Sequence, residues 1–427
     1  MARFSNKQIQ TILVVTGLVL LFLLTRAYVL LNPPYVESKD GKPGYGYSDV
    51  KQDSERYANM WYYGLTPYRK HMYEYPPIAI PFVYIPLLVD LAHIGHYYQN
   101  YRVEIFLFEC VLFAMMIKTI SKIWQHQLWR QVIALSFYCL IGAIGKDYWY
   151  EGLDLLLIGF YVMALMTQYW WGRDKLWKRV VFWALFSASF GVKYMTAPMA
   201  LPLFWMQRKK WKQEILAGMI GFLLVWGVPI VLYRSSLSVM VLFHTVRPLK
   251  YGAFGTWVVW AINDFTHSEV QTNILPHLPI VGPVAAAVEK MLGILFPLSI
   301  LLSVGWSTFV AHVKTFKSRE HELQSIIYMT LVYFMAIFFT NKVFSSPFHI
   351  WYVPLITLLP LESIKTQLWL MAGSFWTFLL DTTPWIKMPD VKLGQIVPAV
   401  RIRDLTRFIP FVGFLGYATK RLHGRQA

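Results

Sequence analysis

Residues 11–31 read TILVVTGLVLLFLLTRAYVLL, a run with one charge, Arg26. At about 1.5 Å per helical residue it reaches across a hydrocarbon core of roughly 30 Å. The run is longer than the apolar core of a secretory leader, and no small-x-small cleavage signal precedes Asn32-Pro33-Pro34. It is therefore read as an uncleaved first membrane span. Working outward, further apolar runs fall at about 76–98, 103–123, 132–144, 152–171, 180–206, 215–234, 280–312, 325–340, 349–363, 367–380 and 408–418. Several are short or broken by proline, so ten to thirteen membrane segments are expected.

Composition agrees with that reading. Of 427 residues, 56% are hydrophobic and 15% charged, and mean hydropathy is positive. The fold class predicted is an all-α integral membrane protein, one polytopic domain over 1–427. Two segments of it, 33–75 and 235–275, are expected to be external loops. The net charge of +17 comes from basic residues in short loops between apolar runs. That distribution suits cytoplasmic loops facing anionic membrane lipids and makes a nucleic-acid-binding face the weaker reading, so no nucleic-acid partner is expected. The cytoplasmic set is Arg3 and Lys7, RDKLWKR at 173–179, RKKWK at 208–212 and KRLHGR at 420–425. With 173–179 and 208–212 both on that side, the run between them must enter and return, and Gly191 and Lys193 mark the expected break. Cys110 and Cys139 lie inside apolar runs and fix no compartment.

The loop after the first span carries SDVKQDSERYANMWYYGLTPYRKHMYEYPP, residues 48–77. Residues 33–75 balance six basic against six acidic side chains, which fits the non-cytoplasmic face. Asp49 and Asp53 are four apart and share one side of a predicted amphipathic helix with Tyr57. Ser48 is its expected cap, and Gly64 with Pro67 its end. A carboxylate at a helix start can be purely structural. Here, however, Tyr68 and Tyr75-Pro76-Pro77 lead the chain straight back to the membrane, holding the acid at the boundary. Tyr68 and Tyr75 are candidate substrate contacts.

Further constellations lie downstream. Phe243-His244-Thr245-Val246-Arg247-Pro248 offers Arg247, with Lys250 beyond, for a phosphate, and His244 for substrate; an ordinary interfacial basic residue is the plain alternative. Asn341 to Tyr352 places Lys342 between two apolar runs and His349 at the next helix start. A snorkelling lysine and a structural histidine are the plain readings there. Lys193 and Asp154 sit within apolar runs, where ionisable groups face protein or a cavity. No metal-ligand spacing and no phosphate-cradling glycine loop is visible, and no cofactor is expected.

In chain order these motifs are S-D-V, G-L-T-P-Y, E-Y-P-P, G-V-K-Y-x-x-A-P, H-x-x-R-P and N-K-V-F-S-S-P-x-H-x-W. The succession, over residues 48 to about 355, resembles polytopic GT-C-fold glycosyltransferases. It resembles most the prokaryotic polyprenyl-phosphate-mannose-dependent mannosyltransferases and, more distantly, the first glycosylphosphatidylinositol mannosyltransferase. The resemblance implies inverting transfer of a sugar, mannose first, from a polyprenyl-phosphate donor to a lipid or glycan acceptor. The site would face the non-cytoplasmic side of the cell membrane. Asp49 matches the family's general base and His349 a histidine of the S-P-…-H-…-W segment. The family often has two histidines there and this chain has one. Asp49 lies one residue further from the Gly-x-x-Pro-Tyr turn than in the family pattern, so Asp53 stands as the alternative base. Arg247, Lys250, Lys342 and Lys193 are the cations for the leaving phosphate. A lipid-linked glycan polymerase or flippase, or a transporter without transferase activity, is the competing class. A transporter is disfavoured by the absence of a visible two-fold repeat.

Overall fold

The computed structural model describes residues 6–36, 45–46, 48–233, 238, 247–250, 252–266, 271–272, 280–359, 363–382 and 405–423. Helices in chain order are α1 (Asn6–Leu31), α2 (Glu55–Tyr62), α3 (Ala79–Leu91), α4 (Tyr97–Ile123), α5 (Leu128–Ile144), α6 (Asp154–Trp171), α7 (Leu176–Val192) and α8 (Ala200–Trp205). They continue with α9 (Trp211–Tyr233), α10 (Phe254–Thr266), α11 (Pro283–Val313), α12 (Arg319–Thr340), α13 (Val353–Leu358), α14 (Ile364–Thr382) and α15 (Ile409–His423). The described strands are two-residue pairs, β1 (Tyr35–Val36) with β2 (Tyr45–Gly46) and β3 (Gln271–Thr272) with β4 (Ile280–Val281), both antiparallel. The chain divides into two units. One holds residues 1–197, 212–240 and 353–360; the other holds 198–211, 241–352 and 361–427.

The first unit is built around α6. That helix is apolar on every side, and nearly every residue from Asp154 to Tyr169 is buried, as such a helix requires. Helices α1 and α9 are the reverse case: Leu24 of α1 is 69% exposed and Leu224 of α9 is 70% exposed. Apolar side chains turned outward over a helix long enough to span are what a lipid-facing surface demands. Charges are placed inside. Arg26, the single charge of the opening run, is buried and forks onto Glu109, with Nη2 donating at 2.7 Å. Its Nη1 donates to the Cys139 carbonyl at 2.8 Å, while Tyr138 and Trp149 donate to the same carboxylate. A buried charge is tolerable only when matched in this way.

In the second unit α12 is the enclosed helix, buried almost throughout from Leu323 to Phe338. Ser318 caps it, accepting from the His321 amide at 3.3 Å. Helix α11 shows the outward apolar face, with Leu301 69% and Leu302 62% exposed.

Among the described residues four helices are long and apolar enough to cross a membrane: Gln8–Leu31, Arg208–Tyr233, Pro283–Val313 and Arg319–Thr340. The other apolar runs form helices that are shorter, more charged or less apolar than these four. Run 76–98 yields α3, thirteen residues and about 20 Å long. Run 349–363 becomes a 3-10 turn at Ser346–Trp351 followed by the six residues of α13. The break expected near Gly191 and Lys193 is present: α7 ends at Val192, Lys193 is extended, and a 3-10 turn runs from Tyr194 to Met199 before α8. The segment 235–275 is not wholly a loop, because α10 lies within it. Its Val259 and Trp260 are buried, and Gly255 lies close against the side chains of Leu292 and Val288 of α11. The rest of that segment, His244 included, lies largely outside the described residues.

Candidate functional site

The opening of the acidic loop departs from a regular helix. Asp49 begins a π-helical turn, Val50–Ser54, in which the Glu55 amide donates to the Val50 carbonyl, and only then does α2 start. Such turns are rare and recur at functional sites. Ser48 caps as expected, its Oγ accepting from the Lys51 amide at 3.2 Å. Gly64 ends the segment with φ +82°, a conformation open to glycine at no steric cost.

The two candidate acids have different surroundings. Asp53 pairs with Arg56 at 3.0 Å, a pair whose side chains are 40% and 59% exposed. Asp49 is half-buried, and its charge acts on Tyr75 and on the buried Glu151.

Tyr68 follows Pro67 with φ +64°, a strained conformation for a bulky residue. What holds it is packing and one short bond: its hydroxyl donates to the Tyr75 carbonyl at 2.5 Å, and its ring lies edge-on to Tyr233 at 5.1 Å. The G-x-x-P-Y turn is thereby fastened to E-Y-P-P. That segment is in turn fastened to G-V-K-Y, the Ile78 amide donating to the Gly191 carbonyl at 3.0 Å. A side chain at 191 would collide with Ile78, so glycine is required for this approach. The Tyr194 hydroxyl adds a bond to the Glu74 carbonyl at 3.2 Å.

Lys193 and Asp154 form a two-point ion pair, Nζ to Oδ1 at 2.8 Å and to Oδ2 at 2.7 Å. The antiparallel packing of α6 and α7 brings the start of one helix beside the end of the other. Each charge also suits its helix dipole, the acid in the first turn of α6 and the lysine just past α7. Lys193 lies 5.5 Å from the centre of the Tyr75 ring. Burial pushes the Tyr75 hydroxyl well above the ordinary phenol range, and the charges of Glu74, Asp49 and Asp154 push it further. Tyr75 is thus held as a neutral hydroxyl among carboxylates. Three of the motifs read from the sequence, with Asp154 besides, meet around this tyrosine within the first unit, and the charge of Asp49 reaches it.

Sequence reading passed over the residues that anchor Ser48. Glu151 is 3% exposed and accepts from Ser48 Oγ, from the Tyr98 hydroxyl at 2.8 Å and from Arg102 Nη1 at 2.5 Å. A lone acid in Tyr150-Glu151-Gly152, beside an apolar run, was the available signal. Its partner Arg102 lies far away in sequence, and only the fold joins them.

In the second unit the basic segment is held by its backbone. The Lys250 amide donates to the Lys342 carbonyl at 3.0 Å, and Lys342 Nζ to the Arg247 carbonyl at 3.3 Å. Glu289, absent from the sequence-based candidates, accepts from the Leu249 amide at 3.2 Å and pairs with Lys342 at 3.5 Å. Arg247, Lys250 and Lys342 are all half-buried. His349 is fully buried, its ring against Phe344, Phe378 and Phe411. Thr377 Oγ1 donates to the Ser374 carbonyl at 2.8 Å, so Tyr352 must donate to Thr377 across 2.5 Å. The Tyr352 oxygen then accepts from His349 Nδ1 at 3.1 Å, which fixes the proton on Nδ1.

No protein-family model matches the chain, and no curated protein matches it. Among solved structures, the crystal structure of ArnT from Cupriavidus metallidurans in the apo state is similar, at 15% identity and a TM-score of 0.47. The similarity covers 95% of this chain and 78% of that one. At that level it assigns no activity.

Proposed function

We propose that the chain is a membrane glycosyltransferase of GT-C type that moves a sugar, mannose in the first instance, from a polyprenyl-phosphate donor to a lipid or glycan acceptor. The observation that carries this reading is the gathering of Tyr75, Asp154 and Lys193, read from separate stretches of sequence, at one place in the first unit that the charge of Asp49 reaches. The ordered motif resemblance supplies the chemistry for it. The reaction face assigned is the non-cytoplasmic one, from the distribution of basic loops.

In the proposed step the acceptor hydroxyl loses its proton to the Asp49 carboxylate as its oxygen bonds to the anomeric carbon. The bond from that carbon to the phosphate oxygen breaks with inversion, and polyprenyl phosphate leaves with the electron pair. A carboxylate with a reference pKa of about 4 is ionised at neutral pH and ready to accept that proton. Tyr75 and Tyr68 are assigned to shaping the substrate pocket, and the Asp154–Lys193 pair to fixing the geometry around them. The positive charge of Lys193 is matched by Asp154, which suits it to organisation more than to holding a phosphate. Within the second unit, Arg247 and Lys250 are kept as candidate phosphate ligands on the motif resemblance alone, with Lys342 holding the Arg247 backbone. His349, enclosed by aromatics, is given a packing part.

The test is sugar transfer by purified protein in lipid across a panel of polyprenyl-phosphate sugars. Transfer from one of them, lost in Asp49→Asn with donor binding retained, is expected. Donor binding without transfer in the unaltered protein would overturn the reading in favour of a flippase or polymerase. Arg247→Ala should weaken donor affinity about tenfold, the value of one charge-assisted contact. Unchanged affinity would remove Arg247 from the phosphate.

A further inference from the structure

Glu151 lies outside the proposed proton transfer, yet it is among the most elaborately bonded acids of the first unit. One oxygen takes the Tyr98 hydroxyl and Arg102 Nη1; the other takes Ser48 Oγ. Arg102 goes on to the Val29 carbonyl through Nη2 at 2.5 Å, and its Nη1 also donates to the Tyr98 oxygen at 2.9 Å. Both charged side chains are nearly inaccessible, at 2% and 4% exposure. Breaking half of a buried pair is costly, so this arrangement behaves as a fixed part of the core. It draws on α1 through Val29, on α4 through Tyr98 and Arg102, and on the turn before α6 through Glu151.

The fixed carboxylate reaches the surface loop at one atom. Ser48 Oγ gives its proton to Glu151 and accepts from the Lys51 amide, so this hydroxyl joins the buried carboxylate to the first turn of the π-helical segment. The Gln52 amide closes the same turn on the Ser48 carbonyl at 3.0 Å. Asp49 is the residue between, and Val50 beyond it is fully buried, so the turn is seated on the interior at both of its ends.

We propose that Glu151, acting through Ser48, is the positioning residue that holds Asp49 in register for proton transfer. The proposal rests on the assignment of Asp49 as base. Glu151 itself touches no substrate in it. Its task is to keep the acid's backbone from drifting, and displacement of about 1 Å costs roughly a hundredfold in rate.

The experiment compares the unaltered protein with Ser48→Ala, Ser48→Thr, Glu151→Gln and the Ser48→Ala/Glu151→Gln double variant, in transfer assays and in amide hydrogen exchange. Ser48→Ala and Glu151→Gln should each lower kcat about 10- to 100-fold with little change in donor KM. The double variant should be no worse than the poorer single one, because both cut the same link. Ser48→Thr, which keeps the hydroxyl, should recover most of the rate. Exchange should quicken at amides 49–54 in both single variants and stay unchanged across α6. Losses that multiply in the double variant, or unchanged exchange at 49–54 in Ser48→Ala, would overturn the proposal. Because Glu151→Gln leaves Arg102 without its counter-charge, Ser48→Ala decides the matter if the other variant does not fold. Quickened local exchange in a protein that transfers no sugar would leave the tether standing and remove the transferase reading.

Discussion

The Asp49 segment and the His349 segment are similarly prominent as sequence motifs, and the fold treats them in opposite ways. Asp49 stands half-buried at the entrance to a π-helical turn, anchored by Ser48 to a buried carboxylate. His349 has no exposed surface, and its ring is enclosed by phenylalanines while Nδ1 donates into a chain through Tyr352 and Thr377. A group that takes a proton from an acceptor must be reachable and well placed. A group that closes a buried hydrogen-bond chain must only fit. On the proposed reading, a polar residue in an ordered motif marks either a site or the packing that supports one, and burial separates the two.

The sharpest way to break this comparison is Asp49→Asn. Removing a general base costs about 10² to 10⁴ in rate, and donor binding should persist. Full activity in that variant, measured as transferred sugar per enzyme, would end the assignment. Next in size is the Asp154–Lys193 pair. Asp154→Asn leaves a mostly buried lysine unmatched and should destabilise the fold by roughly 3 kcal/mol, read as a lower midpoint in thermal unfolding. Asp154→Asn combined with Lys193→Met should recover part of the loss; additive losses would show that the pair contributes nothing as a pair.

His349→Phe comes third. It keeps the aromatic volume and removes one buried hydrogen bond, so a lower unfolding midpoint, by about 1–2 kcal/mol, with kcat within about threefold is expected. A hundredfold loss of kcat at an unchanged midpoint would return His349 to the chemistry and erase the contrast with Asp49. The smallest effect belongs to Asp53→Asn. Its exposed pair with Arg56 is worth at most about 1 kcal/mol, and transfer should stay within about twofold. An inactive Asp53→Asn beside an active Asp49→Asn would exchange the roles of the two acids.

Much of the helical layout was legible in the sequence because lipid-facing helices obey a simple rule: long apolar runs with few charges. The break after Val192 was legible too, since glycine, a lysine and a proline fall within eight residues of an apolar run. The extent of α10 was not. Its sequence AFGTWVVWAIN reads as a short apolar patch in a loop, and its burial comes from packing against α11, distant along the chain. The cluster around Tyr75 was half legible. Asp49, Tyr68, Tyr75, Asp154 and Lys193 were each visible as candidates, but Glu151, Arg102 and Glu289 gain meaning only from partners distant along the chain.

The sequence by itself determined that this is a helical protein with membrane-spanning segments, and that its acids cluster in the loop after the first span. Local hydrophobicity, charge placement and short motifs suffice for that, because each depends on neighbours along the chain. The tertiary structure decided which carboxylate pairs with Lys193 beside Tyr75, which pairs with Arg56, and which is buried as an anchor. Those outcomes depend on long-range contacts, the fork of Arg102 onto Glu151 and the close approach of Ile78 to Gly191. No spacing rule within one segment encodes a contact of that kind.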